Sequence, residues 1–223
     1  MRDTLIDLFD REFVESQEAL GMRIIGQFRD LDNPDRFVWL RGFSDMAMRT
    51  HALQAFYGGP VWKAHREAAN ATMIDSDNVL LLRPARANFG FQLDTRIHSG
   101  AGMSNSSEGL VVATIYYFNA PVDVTFVGFF EGDLKPALRG TGAPILAYFV
   151  TENSANNFPA LPVREGEHVF IWFSRFASRA KYEDFATAFA QRGVLVAELK
   201  SYLKASPEVL KLSPTARSQL RGM

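Results

Sequence analysis

The stretch FVWLRGF (residues 37–43) returns, scarcely altered, as FIWFSRF (residues 170–176). Phe37, Val38, Trp39 and Phe43 fall on Phe170, Ile171, Trp172 and Phe176. The match continues outward in order. Downstream, SDMAMRTHALQAF (44–56) answers ASRAKYEDFATAF (177–189), with Ala55-Phe56 on Ala188-Phe189. Further on, Val79-Leu80, Leu82 and Pro84 answer Val209-Leu210, Leu212 and Pro214. Upstream, Leu8-Phe9 pairs with Phe129-Phe130, and Gly21, Ile24 and Phe28 pair with Gly142, Ile145 and Phe149. Self-similarity kept in order over this length means two copies of one structural unit. Two copies make a tandem pair, not a solenoid.

Each unit reads helix, strand, strand, helix, strand. In the first, Leu5, Phe9 and Phe13 share one stripe of a helix over 4–20. Strands follow at 22–30 and 36–43, joined by the Asp-Asn-Pro-Asp turn at 32–35. Ser44 or Asp45 caps a helix over 45–56, whose stripe is Met48, Ala52 and Phe56. Pro60 opens a helix over 61–73 after Gly58-Gly59, and a strand at 78–83 closes the unit. The second unit has strands near 111–118, 144–151, 168–175 and 208–212, with helices near 122–139, 178–191 and 194–204. Ser178 is its equivalent cap, and Phe185 and Phe189 form its stripe.

The copies differ at one place. VVATIYYF (111–118) precedes the first helix of the second unit, and nothing in this sequence precedes that of the first. With that strand the order is βαββαβ, which is ferredoxin-like. The expected architecture is therefore α+β: two ferredoxin-like units, residues 1–84 and 110–223, joined by a linker at 85–109. The first unit lacks its first strand. That strand lies centrally in the fold, and its loss leaves backbone groups unpaired at about 1–3 kcal/mol each if buried. The expectation is that the natural chain starts upstream of Met1 or that a strand from elsewhere fills the gap. GAGMSNSSEG (100–109) has the Gly/Ser content of a flexible linker.

Composition narrows the function classes. The 223 residues include 47% hydrophobic and 22% charged residues, ordinary for a soluble globular chain. Cysteine is absent, which excludes disulfides and thiolate chemistry and fits a reducing compartment, so a cytoplasmic location is expected. The net charge of −1 and the lack of a basic run argue against nucleic acid. No apolar run reaches the length of a membrane span.

Residues 28–84, FRDLDNPDRFVWLRGFSDMAMRTHALQAFYGGPVWKAHREAANATMIDSDNVLLLRP, resemble the NIPSNAP family of the dimeric α+β barrel group. The likeness is weaker over 110–218, where KLSPTARS still matches. The resemblance implies two ferredoxin-like units packed into one barrel, with a strand before the first helix, and a homodimer. It selects no chemistry. The wider group includes cofactor-independent monooxygenases, isomerases, decarboxylases and haem-binding enzymes.

AFYGGPVWKAHREAAN (55–70) holds the candidate catalytic residues. Trp62, His65, Ala69 and Met73 share one helix stripe, which puts His65 on an apolar face as a candidate base. Tyr57 stands on the preceding turn. His65 as base, with Tyr57 and Trp39 as walls, suits proton abstraction from a phenol or enol. The competing reading is a core histidine among core aromatics. Trp39, Arg41 and Phe43 share a strand face, so Arg41 is either a carboxylate or phosphate ligand or a cation–π brace. Trp39, Arg41 and Trp62 are the candidate substrate-binding residues. His51 reads as exposed, His98 falls in the linker and His168 at a strand start. Four scattered histidines without paired spacing predict no metal site, and no local signature supports haem. The expected function is small-molecule binding, with cofactor-independent oxygenase or isomerase chemistry. The alternative is a non-catalytic scaffold with an aromatic core.

Overall fold

Side-chain caps set where the helices after the Trp strands begin. In the computed structural model, which describes residues 1–93 and 109–221, Asp45 Oδ1 accepts from Met48 N at 2.8 Å. At the matching repeat position, Ser178 Oγ accepts from Lys181 N at 3.3 Å. These caps satisfy orphan N–H groups at the starts of α3 (Met46–Gly58) and α7 (Arg179–Ala190). Pro60 then opens α4 (Pro60–Asn70), whose counterpart is α8 (Gly193–Tyr202).

The first helix of each unit breaks at the same point. α1 (Arg2–Leu8) passes through a π turn (Phe9–Phe13) into α2 (Val14–Glu18). α5 (Val124–Phe129) passes through a π turn (Phe130–Leu134) into α6 (Lys135–Gly140). The sequence reading gave each as one unbroken helix. Gly21 and Gly142 follow at φ +83° and +103°, a region that glycine enters without a Cβ penalty.

The strands are β1 (Arg23–Asp30), β2 (Phe37–Gly42), β3 (Leu82–Pro84), β4 (Leu110–Phe118), β5 (Ile145–Thr151), β6 (His168–Phe176) and β7 (Glu208–Pro214). They form one sheet in the order β2-β1-β7-β4-β6-β5-β3, and every neighbouring pair in it is antiparallel. Within the second unit the order β7-β4-β6-β5 is the ferredoxin-like arrangement, with β4 central. Even a register shift repeats: β1 slips against β2 between Ile24 and Gly26, and β5 against β6 between Ile145 and Ala147.

Each unit lends its last strand to the other. β7 pairs with β1, and β3 pairs with β5. The residues that follow repeat the exchange. Arg217, after β7, binds Glu15 of α2, and Arg86, after β3, reaches Glu131 Oε2 at 3.3 Å. The sheet curls: Val38 and Leu40 of β2 and Leu82 of β3, at opposite ends of the strand order, pack against one core with Phe28, Ile171 and Phe173. β2 and β3 are equivalent to β6 and β7, which flank β4 in the second unit. Among the described residues β2 and β3 form the two edges of the sheet, and by this equivalence a strand matching β4 would join them. The protein is a tandem ferredoxin-like α+β barrel fold with seven strands among the described residues.

Helical cores fill the outer faces. The second is dominated by Phe126, Phe130, Tyr148, Phe170 and Trp172, and the first by Phe9, Phe13, Leu53 and Phe56. Three local expectations are corrected. The closing strand of the first unit spans Leu82–Pro84 only: Val79 N folds back onto Asp77 O at 2.8 Å, and Val79 O accepts from Arg164 N of a loop rather than from a strand. α4 ends at Asn70, where Thr72 Oγ1 turns back onto Ala69 O at 2.6 Å. Met48 is 40% exposed, and Arg49 takes the inward position beside Ala52, Leu53 and Phe56. Residues 100–108 of the Gly/Ser segment and His98 lie outside the described residues.

Candidate functional site

The first unit carries Trp39 and Arg41 on β2 and Trp62 and His65 on α4, and Tyr57, expected on the turn, lies in the last turn of α3. Trp39, opposite Gln27 on β1, packs on Phe9 and Phe37 at 5.7 and 5.2 Å between ring centroids. Tyr57 meets Trp62 edge-on at 4.8 Å and stacks on Phe158 at 5.7 Å. Trp62 also leans on Phe13 and Phe56. Trp39, Tyr57 and Trp62 are each partly buried and pack against the core of the first unit. A cavity of about 370 Å³ opens in the second unit beside Arg139, Gly142, Pro144 and Ile145, and none of the five candidates lines it.

His65 is not enclosed by its apolar stripe. Its side chain is 32% exposed, and its Nε2 lies 3.4 Å from Glu12 Oε2. The Phe13 ring flanks it at 6.4 Å. Glu12 sits on the π turn, and its Oε1 accepts from Arg11 Nε at 2.7 Å. Such turns in helices recur at functional positions. Sequence reading passed over Glu12 as a surface acid. The available signal was its place beside Phe13 on a helix whose apolar stripe must face the sheet.

Arg41 does share a face with Trp39 and Phe43. Its Nη1 donates to Gln17 Oε1 at 2.8 Å, and its guanidinium lies 5.8 Å from the Phe43 ring. Gln17 is buried and donates in turn to Phe13 O at 2.8 Å. The cation–π brace is thus observed. Arg49 was missed altogether. It is 3% exposed, and its Nη1 donates to Asn156 Oδ1 at 3.1 Å and Asn157 Oδ1 at 2.7 Å. Burial first, then the nearby Arg41 cation, hold its pKa below the usual arginine range, with Tyr57 opposing. Ala52, Leu53 and Phe56 one turn on would have marked residue 49 as inward-facing.

His51 is exposed, and His168 begins β6 with Nδ1 buried and without a partner among the described residues. The described residues hold no cluster of three or more metal-ligating side chains. No described helix is long and apolar enough to cross a membrane.

No protein-family model and no curated protein matches the chain. Among solved structures, a protein from Lactobacillus acidophilus NCFM, provisionally described as a monooxygenase, is similar at a TM-score of 0.49 and 10% identity. That match covers 99% of this chain and 88% of the other. A Fusobacterium nucleatum subsp. nucleatum protein with the same provisional description is similar at 0.46 and 10%, over 92% and 82%. An anthrone oxidase-like protein is similar at 0.45 and 13%, over 100% and 92%. Likeness this distant says nothing of the chemistry of this chain.

Proposed function

We propose that this chain is a small-molecule-binding α+β barrel protein that works without a bound cofactor, with His65 and Glu12 as a proton-handling pair. The observation that carries the reading is the 3.4 Å approach of His65 Nε2 to Glu12 Oε2 at the accessible margin of the Phe13, Trp62 and Tyr57 cluster. A carboxylate beside an imidazole orients the ring for proton abstraction, and aromatic walls suit an activated phenol or enol. Oxygenase or isomerase chemistry on such a substrate follows. Membership of the NIPSNAP family belongs to the same proposal and rests on residues 28–84. A cytoplasmic location draws support from the lack of cysteine, and self-association from the two sheet edges that no strand among the described residues covers.

The test begins with native mass spectra and an absorbance scan of protein purified without added ligand, which identify a retained molecule and the subunit count. His65→Ala is then expected to abolish conversion of that molecule. Because the residue is a third exposed, the melting temperature should stay within about 2 °C of the parent. A variant that mainly unfolds makes His65 structural. One observation favours a scaffold instead: Trp39, Tyr57 and Trp62 each have ring neighbours within 6 Å, as a filled core requires. Under that reading no small molecule is retained and His65→Ala leaves every partner contact intact.

A further inference from the structure

Arg49 is a buried cation that the described residues leave without a counter-charge. Its two acceptors are neutral amide oxygens, and both are fixed in orientation. Asn156 Nδ2 donates to Leu161 O at 3.0 Å, and Asn157 Nδ2 to Met46 O at 2.6 Å. Only Nη1 of Arg49 is engaged; its Nε–Nη2 edge has no acceptor among the described residues. That edge is the fork that grips a carboxylate or phosphate with two parallel hydrogen bonds. Arg41, the charged neighbour near enough to act on it, is a second cation whose own acceptor, Gln17 Oε1, is also neutral. Proteins rarely bury a lone cation, because desolvation is repaid only by a partner of opposite charge.

The repeat shows that the arrangement is not demanded by the fold. The second unit places Ser174 where the first has Arg41, and Tyr182 where it has Arg49. Tyr182 packs edge-on against Phe176 at 5.4 Å, with Lys211 Nζ 5.6 Å from its ring, and puts an uncharged aromatic at this position. The scaffold is thus satisfied by uncharged residues at both positions, and the first unit departs from them in the same direction twice.

We infer that Arg49, with Arg41 and Tyr57 beside it, forms an oxyanion subsite that takes the carboxylate or phosphate group of a small ligand. Phe158, which follows Asn157, stacks on Tyr57, so the subsite is walled by aromatic rings that strengthen an ion pair by excluding water. Trp62, packed on the other side of Tyr57, links it to the His65–Glu12 pair. This inference rests on the small-molecule reading above and names its ligand class: an anionic molecule with an aromatic or enolic body.

The test measures melting temperature and titration heat with inorganic phosphate and with benzoate, at constant ionic strength with chloride as control. Millimolar concentrations are used, where general salting effects are small. The parent protein should gain about 5–10 °C at a hundred times the Kd of whichever anion binds. Arg49→Met should melt within a few degrees of the parent without anion and bind at least tenfold more weakly. Asn157→Asp places a carboxylate at the Nη1 contact and should also lose the response. A response to phosphate alone assigns a phosphate ligand, and one to benzoate alone a carboxylate; both support the subsite. No response to either anion in the parent overturns it, and so does an undiminished response in Arg49→Met. If Arg49→Met does not fold, an undiminished response in Asn157→Asp overturns it. Anion binding without His65-dependent turnover would sink the catalytic reading and leave the subsite standing, and the converse holds as well.

Discussion

Asp10→Asn should make the protein more stable at neutral pH, although it removes a charge from beside an arginine. Asp10 lies on the π turn of the first unit, half-buried, with Oδ1 shut off from solvent and without a partner among the described residues. Desolvation raises its carboxyl from the ordinary 3.8 to about 6, against the opposing pull of Arg217 and Arg29 and with some help from Asp7 and Glu15. Between about pH 4 and pH 6 the unfolded chain has released this proton while the folded chain still holds it. The folded state then binds more protons, so stability falls as pH rises through that window and levels off above it. The interval from 3.8 to about 6 is worth about 3 kcal/mol in full. Water reaching the half-buried group reduces this to about 1–1.5 kcal/mol. Urea unfolding of the parent and of Asp10→Asn at half-unit steps from pH 4 to 8 isolates the effect, because the other carboxylates titrate equally in both. The variant should gain about 1–1.5 kcal/mol on the parent between pH 4 and pH 7. If the variant instead loses ground as pH rises, Arg217 holds Asp10 ionised and the desolvation argument fails.

Two further outcomes test the fold. A copy of Leu110–Pro121 fused ahead of Met1 should occupy the position between β2 and β3, adding ladder bonds and apolar burial worth a melting-temperature rise on the order of 5–10 °C; an unchanged melting temperature with the added segment open to protease refutes the vacant-strand reading. Phe170→Ala should cost about 3–5 kcal/mol in urea unfolding, because Phe170 is fully buried and ringed by Phe130 at 4.5 Å, Phe126 at 5.2 Å and Tyr148 at 5.8 Å; a loss under 1 kcal/mol would mean that this core is loosely packed.

The repeated Trp strand made the topology legible because register and cap chemistry repeat with it. Trp39 and Trp172, Asp45 and Ser178, Gly21 and Gly142 each occupy the same structural position in their units. The open position between β2 and β3 among the described residues was legible for the same reason, since the strand order of the second unit fixes which edges of the first would flank a strand matching β4. The site was less legible. Periodicity assigns a residue to a face, and His65 does share the Trp62 and Ala69 stripe. Its Glu12 contact, however, comes from another helix, across a π turn that shifts the facing residues from the spacing of a regular helix. Arg49 escaped because an arginine in an apolar stripe is read by its charge rather than by its place.

The orphaned polar atoms of the first unit follow from the same comparison. In the second unit Tyr148 Oη donates to Glu131 Oε1 at 2.7 Å, and Arg86 steadies the carboxylate. The repeat sets Asp10 at the position of Glu131 and Gln27 at that of Tyr148. Both replacements are shorter. Gln27 is fully buried with neither amide atom bonded, and Asp10 Oδ1 is likewise without a partner among the described residues. A buried amide and carboxyl left unpaired cost stability, yet the first unit carries them together with Arg41 and Arg49 in place of Ser174 and Tyr182. The second unit has the aromatic version of the scaffold, with the Glu131–Tyr148 pair bonded, although Trp172 Nε1 and Ser174 Oγ are without a partner among the described residues. The first has given up part of that stability at several neighbouring positions, on the side where Glu12 meets His65. Loss of stability concentrated in this way is what a binding site imposes on a fold, and it is why the chemistry of this protein is to be sought in its first unit.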